Sequence, residues 1–203
     1  MYVPSHYAQT DRDTLHAFIE RYSFGLLVSQ VDGEPFATHL PFLLDRTAGT
    51  HGTLLGHMAR ANPQWRTLAG QPALVVFSGP HAYVSPTWYE APNTVPTWNY
   101  TAVHATGRAE VVEDHAALVD ILTRSVAVYE AAMPRPWAFD PTGPVADRLL
   151  AQIVGFRIPI DRLEGKWKLN QNHPAERREK VIRALEAQGD ENSRAVARLM
   201  QGR

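Results

Sequence analysis

Apolar segments separated by turn residues dominate the first half of the chain and predict consecutive strands. Gly, Pro and Asp punctuate these segments, and Asp32-Gly33 between the first two is a hairpin signal. Pro41 is expected to make the far end of the second strand an edge or a bulge, and Pro159 is expected to end the last strand. The predicted strands are residues 25–31, 35–44, 52–58, 73–77, 81–84, 101–112 and 153–160.

Helices are predicted where apolar residues recur every three or four positions or where capping residues introduce a segment. Leu15 and Ile19 share one face of the first helix, and Asn62 and Asp114 are capping residues. Four prolines within residues 134–144 indicate a connector. The predicted helices are residues 11–21, 62–68, the segment from Asp114 to about residue 132, 175–187 and 191–200.

This order of elements predicts a mainly β protein with helices (α+β class), built as an antiparallel barrel. Strands do not alternate with helices, so a parallel doubly wound sheet is excluded. The length of 203 residues suits one domain with appendages. We therefore expect a barrel domain with inserted helices at residues 1–172 and a helical extension packed on it at 173–203. Side chains fill so small a barrel, so a wide planar ligand would lie outside it or between subunits.

Composition narrows the chemistry. The chain has no Cys, which excludes disulfides, thiolate metal sites and cysteine nucleophiles. No apolar run reaches membrane-spanning length and no signal peptide opens the chain, so we expect a cytoplasmic protein without a membrane partner. The net charge of −1 does not favour nucleic-acid binding, although residues 162–203 carry a local excess of basic side chains. The His residues lack metal-ligand spacing, so we predict no metal site.

Four segments carry residue types suited to ligand binding. In residues 54–65 a strand leads through Arg60 into a helix, which suits a phosphate; the alternative is a capped helix with an exposed Arg. Residues 36–41 place Thr38 and His39 in mid-strand, where they either bind a ligand or lie on a solvated face. Aromatic and hydroxyl side chains alternate across 79–100, and Lys and amide side chains cluster at 164–172. The aromatic segment suits the stacking of a planar ligand or the packing of a partner subunit, and the alternative is a rigid loop with core aromatics. The Lys and amide segment suits an anionic or hydrogen-bonding ligand, and the alternative is a solvated loop.

Taken together, these segments resemble the PaiB family of FMN-binding proteins described as negative transcriptional regulators. The one departure lies at residues 170–173, Asn-Gln-Asn-His, where the family usually has Ser-Gln-Asn-Arg. The matching strings follow one another over nearly the whole chain: Met1–His6, Ala37–Pro41, Gly56–Trp65, Gly79–Pro86, Val95–Tyr100 and Glu164–Asn172.

The resemblance implies an FMN-binding split barrel of the pyridoxamine-phosphate-oxidase kind, with FMN at the seam of a homodimer. It implies that Thr38, His39 and Leu40 line the isoalloxazine ring. The phosphate end is assigned to His57, Met58, Ala59, Arg60 and Asn62. A second protomer is expected to contribute either Trp98, Asn99 and Tyr100 or Lys166 and Gln171.

Three functions remain open at this point. The first is a flavin-dependent regulator that contacts DNA through helices 175–187 and 191–200, which resemble a helix-turn-helix; the alternative is that this pair packs on the barrel. The second is an FMN-dependent oxidoreductase, in which the flavin performs the chemistry on a small molecule. The third is a sensor that binds flavin or haem. No P-loop, GxGxxG, HExxH or GxSxG sequence is present, so no catalytic residue is assigned.

Overall fold

The computed structural model describes residues 1–143 and 146–202, which divide into two compact units. The terminal unit comprises residues 1–15, 78–103 and 164–203, and the internal unit comprises residues 16–77 and 104–163. Pro144, the last residue of the predicted connector, lies outside the described residues.

Nine strands of the described chain form a sheet with the order β3-β2-β6-β7-β9-β5-β4, while β1 and β8 each pair with β9. The β2–β3, β2–β6, β4–β5 and β5–β9 pairs are antiparallel, as are the β1–β9 and β8–β9 pairs. The strands are β1 Ala8–Gln9, β2 Phe24–Val31, β3 Glu34–Pro41, β4 Leu43–Asp45, β5 Thr53–Ala59, β6 Pro72–Val84, β7 Thr97–Arg108, β8 Glu110–Val112 and β9 Ile153–Lys168.

A two-residue hairpin sets the register of β2 and β3. Asp32 and Gly33 both have positive φ, at 52° and 83°, and Val31 lies opposite Glu34. Turns of this kind match the natural twist of two antiparallel strands, which is why the Asp-Gly pair predicted the hairpin.

Aromatic rings fill the core of the internal unit. Phe42 packs edge-on against Phe77 and Phe156, with ring centroids 5.6 and 5.9 Å apart. Leu27 and Leu54 are fully buried in the same unit. Leu27 and Phe77 are inward members of the alternating burial patterns of β2 and β6, so the period-2 alternation of the sequence builds this part of the core.

Six α-helices and two short 3₁₀ helices, Ser5–Tyr7 and Pro86–Tyr89, complete the described structure. Asp114 caps α3 as predicted, because its side chain accepts a hydrogen bond from Ala117 N. The short helix α4 was not predicted. The helices are α1 Arg12–Arg21, α2 Gln64–Leu68, α3 His115–Glu130, α4 Ala146–Leu150, α5 Ala175–Gln188 and α6 Glu191–Met200.

Helices α5 and α6 pack on the terminal unit with their apolar faces. Val181 and Leu185 of α5 and Val196 of α6 are fully buried in one cluster. The cluster also contains Ala82, Val84, Tyr89, Leu169, Ala197 and Met200. The apolar faces of α5 and α6 are thus buried within the terminal unit, where they pack with Ala82 and Val84 of β6.

The strand β9 differs most from its prediction. It runs for 16 residues and continues past Pro159, and residues 164–168 are strand rather than solvated loop. Pro159 is tolerated because it lies opposite Thr53, the first residue of β5, where that ladder ends. Two smaller differences are that β6 runs unbroken through Gly79-Pro80 and that β7 begins at Thr97.

Candidate functional site

Three of the polar residues near the β3 strand bind one another. Thr38 Oγ1 donates to Gln64 Oε1 at 2.6 Å, and Asn62 Nδ2 donates to Thr38 Oγ1 at 3.0 Å. Asn62 Oδ1 in turn accepts from Gln64 N at 3.0 Å. The structure therefore brings the predicted residues Thr38 and Asn62 together, and their side chains support the local backbone.

Gln64 is the centre of this network and was not predicted from the sequence. Its side chain is fully buried, and Nε2 donates to Ser29 Oγ at 2.9 Å. The same nitrogen lies 3.3 Å from the carbonyl oxygens of Leu27 and Phe36. An amide at a buried helical position directly after Asn-Pro was the available signal, because a buried amide needs several partners.

The outer edge of β3 is free of a strand partner among the described residues. Phe42 N donates to Ser23 O, which fixes the phase of the β2–β3 ladder. In an antiparallel pair every second residue turns its N–H and C=O away from the partner strand. By this alternation Ala37 and His39 point their backbone N–H and C=O groups away from β2. Pro35 and Pro41 occupy equivalent positions on β3, where the lack of an N–H removes no hydrogen bond to β2.

Exposed rings lie beside this edge. Phe24 on β2 is 66 % exposed, and its ring stacks with that of His39 at a centroid distance of 6.1 Å and an interplanar angle of 23°. His39 is exposed, whereas Leu40, the third residue predicted to line a ring ligand, is buried. Phe24 was also not predicted as a site residue, because the sequence does not distinguish an exposed aromatic residue at the start of an apolar strand from a core residue.

The residues predicted for a phosphate end have different environments. Met58 is buried in the core and Ala59 is exposed. Burial lowers the pKa of His57 below its usual range, because a charged imidazolium is poorly solvated there. Only the turn beyond Ala59 therefore offers a charged group to solvent.

Arg60 is the cation of that turn, and it already has partners. Its guanidinium donates to Glu113 Oε2 at 3.0 Å, to Ala151 O at 3.1 Å and to Ile153 O at 3.2 Å. It also lies over the Trp65 ring, 5.6 Å from the centroid. Three of the five N–H groups are thus used, and Glu113 is an exposed carboxylate that an incoming anion would have to replace.

The backbone of the same turn does not form an open anion cradle. The amides of Arg60, Asn62, Gln64 and Arg66 each donate within the chain. Helix α2 is only five residues long, and Asn62 Oδ1 already accepts from its first amide, Gln64 N. A phosphate at this turn would therefore depend on the Arg60 side chain.

The aromatic segment of β7 presents two different faces in the terminal unit. Trp98 is exposed and lies 5.8 Å from the Tyr83 ring and 6.2 Å from the His81 ring, measured between centroids. Asn99 is fully buried, with Nδ2 3.4 Å from Met200 Sδ and Oδ1 without a hydrogen-bond partner. Trp98 is thus free to contact a ligand or a subunit, whereas Asn99 faces the packed helix α6.

Two Lys residues at the end of β9 are largely withdrawn from solvent. Lys166 is buried, donates to Tyr2 O at 3.1 Å and lies 5.2 Å from the centre of the Tyr100 ring. Lys168 donates to Thr97 Oγ1 and to Trp98 O. Burial and the neighbouring Lys166 lower the pKa of Lys168.

Gln171, the remaining predicted contact, closes the turn after β9. Its Oε1 accepts from Leu169 N at 2.7 Å and its Nε2 donates to Trp167 O at 2.6 Å. Asn170 in the same turn has a left-handed backbone, with φ of 60°. The amide-rich sequence at 170–172 is therefore explained first by a tight turn.

Two further properties hold for the described part of the chain. It contains no cluster of three or more His, Asp or Glu side chains arranged to hold a metal ion. None of its helices has the length and apolar character that crossing a membrane requires.

The chain is similar to known proteins over most of its length. The family described as "Putative FMN-binding domain" matches residues 1–162. The protein "Protease synthase and sporulation protein PAI 2" of Bacillus subtilis is 37 % identical over 203 residues, covering 99 % of this chain and 97 % of that protein. An uncharacterized protein of Aspergillus fumigatus is 31 % identical over 254 residues, covering 100 % of this chain and 97 % of its own length.

Two solved structures share the fold. The flavocytochrome Anf3 of Azotobacter vinelandii has a TM-score of 0.64 at 19 % identity and covers 82 % of this chain and 72 % of its own. The FAD and heme binding protein of Mycobacterium smegmatis has a TM-score of 0.61 at 20 % identity and covers 80 % and 73 %. The family resemblance, the fold class and FMN as the cofactor are therefore confirmed.

Proposed function

Because the chain belongs to the FMN-binding domain family, we propose that it is a homodimeric FMN-binding protein that acts as a negative transcriptional regulator. The observation that carries the cofactor site is the open edge of β3, beside the exposed rings of Phe24 and His39.

The donor set at this edge fits a flavin. The rim of an isoalloxazine ring carries both hydrogen-bond donors and acceptors, and a free strand edge offers alternating N–H and C=O groups to such a rim. Ala37 and His39 are the residues whose backbone groups turn outward, so they are the proposed contacts. Thr38 acts indirectly, because its hydroxyl already binds Gln64 and Asn62.

The phosphate end is assigned to Arg60, the cation of the turn after β5. Arg suits phosphate because its planar fork can donate two parallel hydrogen bonds. The Arg60–Glu113 pair is exposed, so exchanging this carboxylate for a phosphate costs little. FMN, when bound, supplies reversible electron uptake, and the protein's part is to bind and orient it.

An exposed apolar surface in the internal unit supports the homodimer. Val128, Met133 and Trp137 are 59, 49 and 60 % exposed. Tyr129, between them in sequence, donates to Ser23 Oγ at 2.9 Å, which brings this surface next to Phe24. A subunit contact in this part of the internal unit would bury these exposed apolar side chains.

The regulatory role rests on the relative from Bacillus subtilis, whose name refers to protease synthesis and sporulation. The α5–α6 surface has few free cations for DNA: Lys180 pairs with Glu90 and Glu176, and Arg178 donates to Met200 O. The exposed side chains of the pair include Arg183, Arg194 and Arg198 against Glu176, Glu179, Glu186, Asp190 and Glu191. We therefore expect regulation without direct DNA contact through this pair.

The first test is a titration of the purified protein with FMN, with its mass measured in solution. A shifted flavin absorbance band with one FMN per chain and a mass of two chains is the expected result. A folded protein that leaves the FMN spectrum unchanged, or that stays monomeric when saturated, refutes the cofactor site or the dimer respectively.

The second test separates regulator from enzyme. Transcripts are compared in the host with and without the gene, and the FMN-loaded protein is assayed for oxidation of NADH and NADPH. Raised transcripts in the deletion strain and no steady oxidation support the proposal. Unchanged transcripts together with steady oxidation would replace it with an FMN-dependent oxidoreductase.

A further inference from the structure

A cavity of about 260 Å³ lies within the terminal unit, between the turn that follows β9 and the loop that precedes β7. Lys168 lines it from the end of β9, Asn172 and His173 line it from the turn, and Val95 lines it from the loop. Tyr89, from the short helical turn after β6, forms a further part of its wall. The residues proposed to hold FMN, namely Ala37, His39 and Arg60, are not among its lining residues.

The polar groups of this wall form hydrogen bonds with one another, and some of their hydrogen-bond donors remain without an acceptor. Tyr7 donates from its hydroxyl to Asn172 Oδ1 at 2.9 Å, and Asn170 Nδ2 donates to Tyr89 OH at 2.9 Å. Lys168 uses two of its three ammonium hydrogens, on Thr97 Oγ1 and on Trp98 O. The third ammonium hydrogen, the Asn172 amide and the Tyr89 hydroxyl hydrogen have no acceptor among the described residues.

The electrostatic surroundings of the cavity are positive. Burial, Arg177 and Lys168 together lower the pKa of His173, and Lys166 is among the causes that lower the pKa of Lys168. Among the described residues the cavity wall contains Lys168 and no carboxylate, so the positive charge of Lys168 has no counter-ion within the wall. A bound anion would supply that counter-ion and accept the spare hydrogens.

The apolar part of the wall favours a flat ligand. Tyr89 and His173 stack with ring centroids 4.9 Å apart and an interplanar angle of 17°, and Val95 adds an aliphatic surface. A cavity of about 260 Å³ suits a small organic ligand. Lys168 is the one Lys or Arg among the described lining residues, and its single positive charge matches the single negative charge of a carboxylate.

We propose that this cavity binds a small planar organic monocarboxylate, with the carboxylate at Lys168 and Asn172 and the ring beside Tyr89. The site is separate from the proposed flavin contacts, so it gives the protein a second small-molecule ligand.

The test uses the full-length FMN-loaded chain and two probes of equal shape, benzoate and benzamide, titrated by calorimetry. Benzoate is expected to bind, and benzamide to bind at least about tenfold more weakly because it lacks the charge. Lys168→Met is expected to lose at least about tenfold in benzoate affinity, while Lys168→Arg retains most of it. Lys180→Met is the matched control, since Lys180 lies outside the cavity wall and keeps benzoate binding unchanged.

Three outcomes would overturn the proposal. Equal binding of benzoate and benzamide would show that charge is not recognised. Undiminished binding by a folded Lys168→Met variant would place benzoate elsewhere. Competition between FMN and benzoate in the apoprotein would make the cavity part of the flavin site. Because flavin occupancy is read independently from absorbance, failure of the flavin site and failure of this cavity are distinguishable.

Discussion

Thr38 on β3 donates a 2.6 Å hydrogen bond to Gln64 at the start of α2. This bond ties the strand whose outer edge is free to the turn that carries Arg60. The side chains of Thr38 and Gln64 are therefore engaged in positioning the backbone of β3 and of the turn before α2.

Replacing Gln64 by Leu tests how much this connection stabilises the fold. Thr38 and Ser29 would lose their buried partner, so the free energy of unfolding should fall by about 2–3 kcal/mol. Urea unfolding measures the change, and Gln71→Leu at an exposed position is the matched control. Equal stability of the two variants would show that the network contributes nothing.

The free edge of β3 is tested by Ala37→Pro. Proline removes one outward N–H and leaves the β2–β3 ladder intact, because Pro35 and Pro41 already occupy the same phase. We expect FMN affinity to fall about fivefold with little change in unfolding midpoint, since one hydrogen bond contributes about 1 kcal/mol. Thr38→Pro, which breaks the ladder, should unfold more easily. Wild-type FMN affinity in Ala37→Pro would remove Ala37 from the site.

Arg60 is tested together with its carboxylate partner. If the guanidinium exchanges Glu113 for the FMN phosphate, Arg60→Ala should weaken FMN binding at least about tenfold. Glu113→Gln should strengthen binding slightly at low salt, because it removes the competing charge. Titrations by flavin absorbance give both affinities. An Arg60→Ala variant that binds FMN as tightly as the wild type contradicts the assignment.

The local chemistry of the chain predicts most of this fold. The Asp32-Gly33 hairpin, the Asp114 cap and the α5–α6 pair followed from turn residues, caps and apolar spacing. The continuation of β9 through Pro159 could not be predicted in this way. The strand tolerates Pro159 because the paired strand β5 begins at Thr53, opposite this proline. Which strands pair, and where each pairing ends, depends on the tertiary structure. The sequence around a proline therefore does not show whether the strand stops there or continues.

The site was less predictable than the fold. The sequence marked Thr38, Asn62 and Gln171 as polar residues in the right segments, but not that their side chains are occupied within the chain. Phe24 and Gln64 were overlooked, since exposure of the first and burial of the second are visible only in three dimensions. A single sequence does not show which residues distant along the chain become hydrogen-bond partners in the folded protein.

Gly107 on β7 should not tolerate any side chain. A Cβ there would lie 2.0 Å from Pro159 O, so the two strands would have to separate. Gly107→Ala is expected to lower the free energy of unfolding by about 3 kcal/mol or to prevent folding. Gly143→Ala, where the nearest atom would be 3.3 Å away on Asp140, is the control. Comparable unfolding midpoints for the two variants would contradict the close approach of β7 to β9.

His57 makes the stability of the folded chain depend on pH in a defined direction. Burial lowers its pKa in the folded state, whereas in the unfolded chain it titrates near the usual value of about 6.5. The unfolded state therefore binds the proton first, and stability is lost as pH falls from that value towards the lowered one. His57→Gln should flatten this loss in urea midpoints measured at about pH 5 and about pH 7.5, and exposed His81→Gln should not. His173, whose pKa is lowered in the same direction, leaves a residual slope. A slope in His57→Gln as steep as in the wild type would show that His57 is solvated in the folded protein.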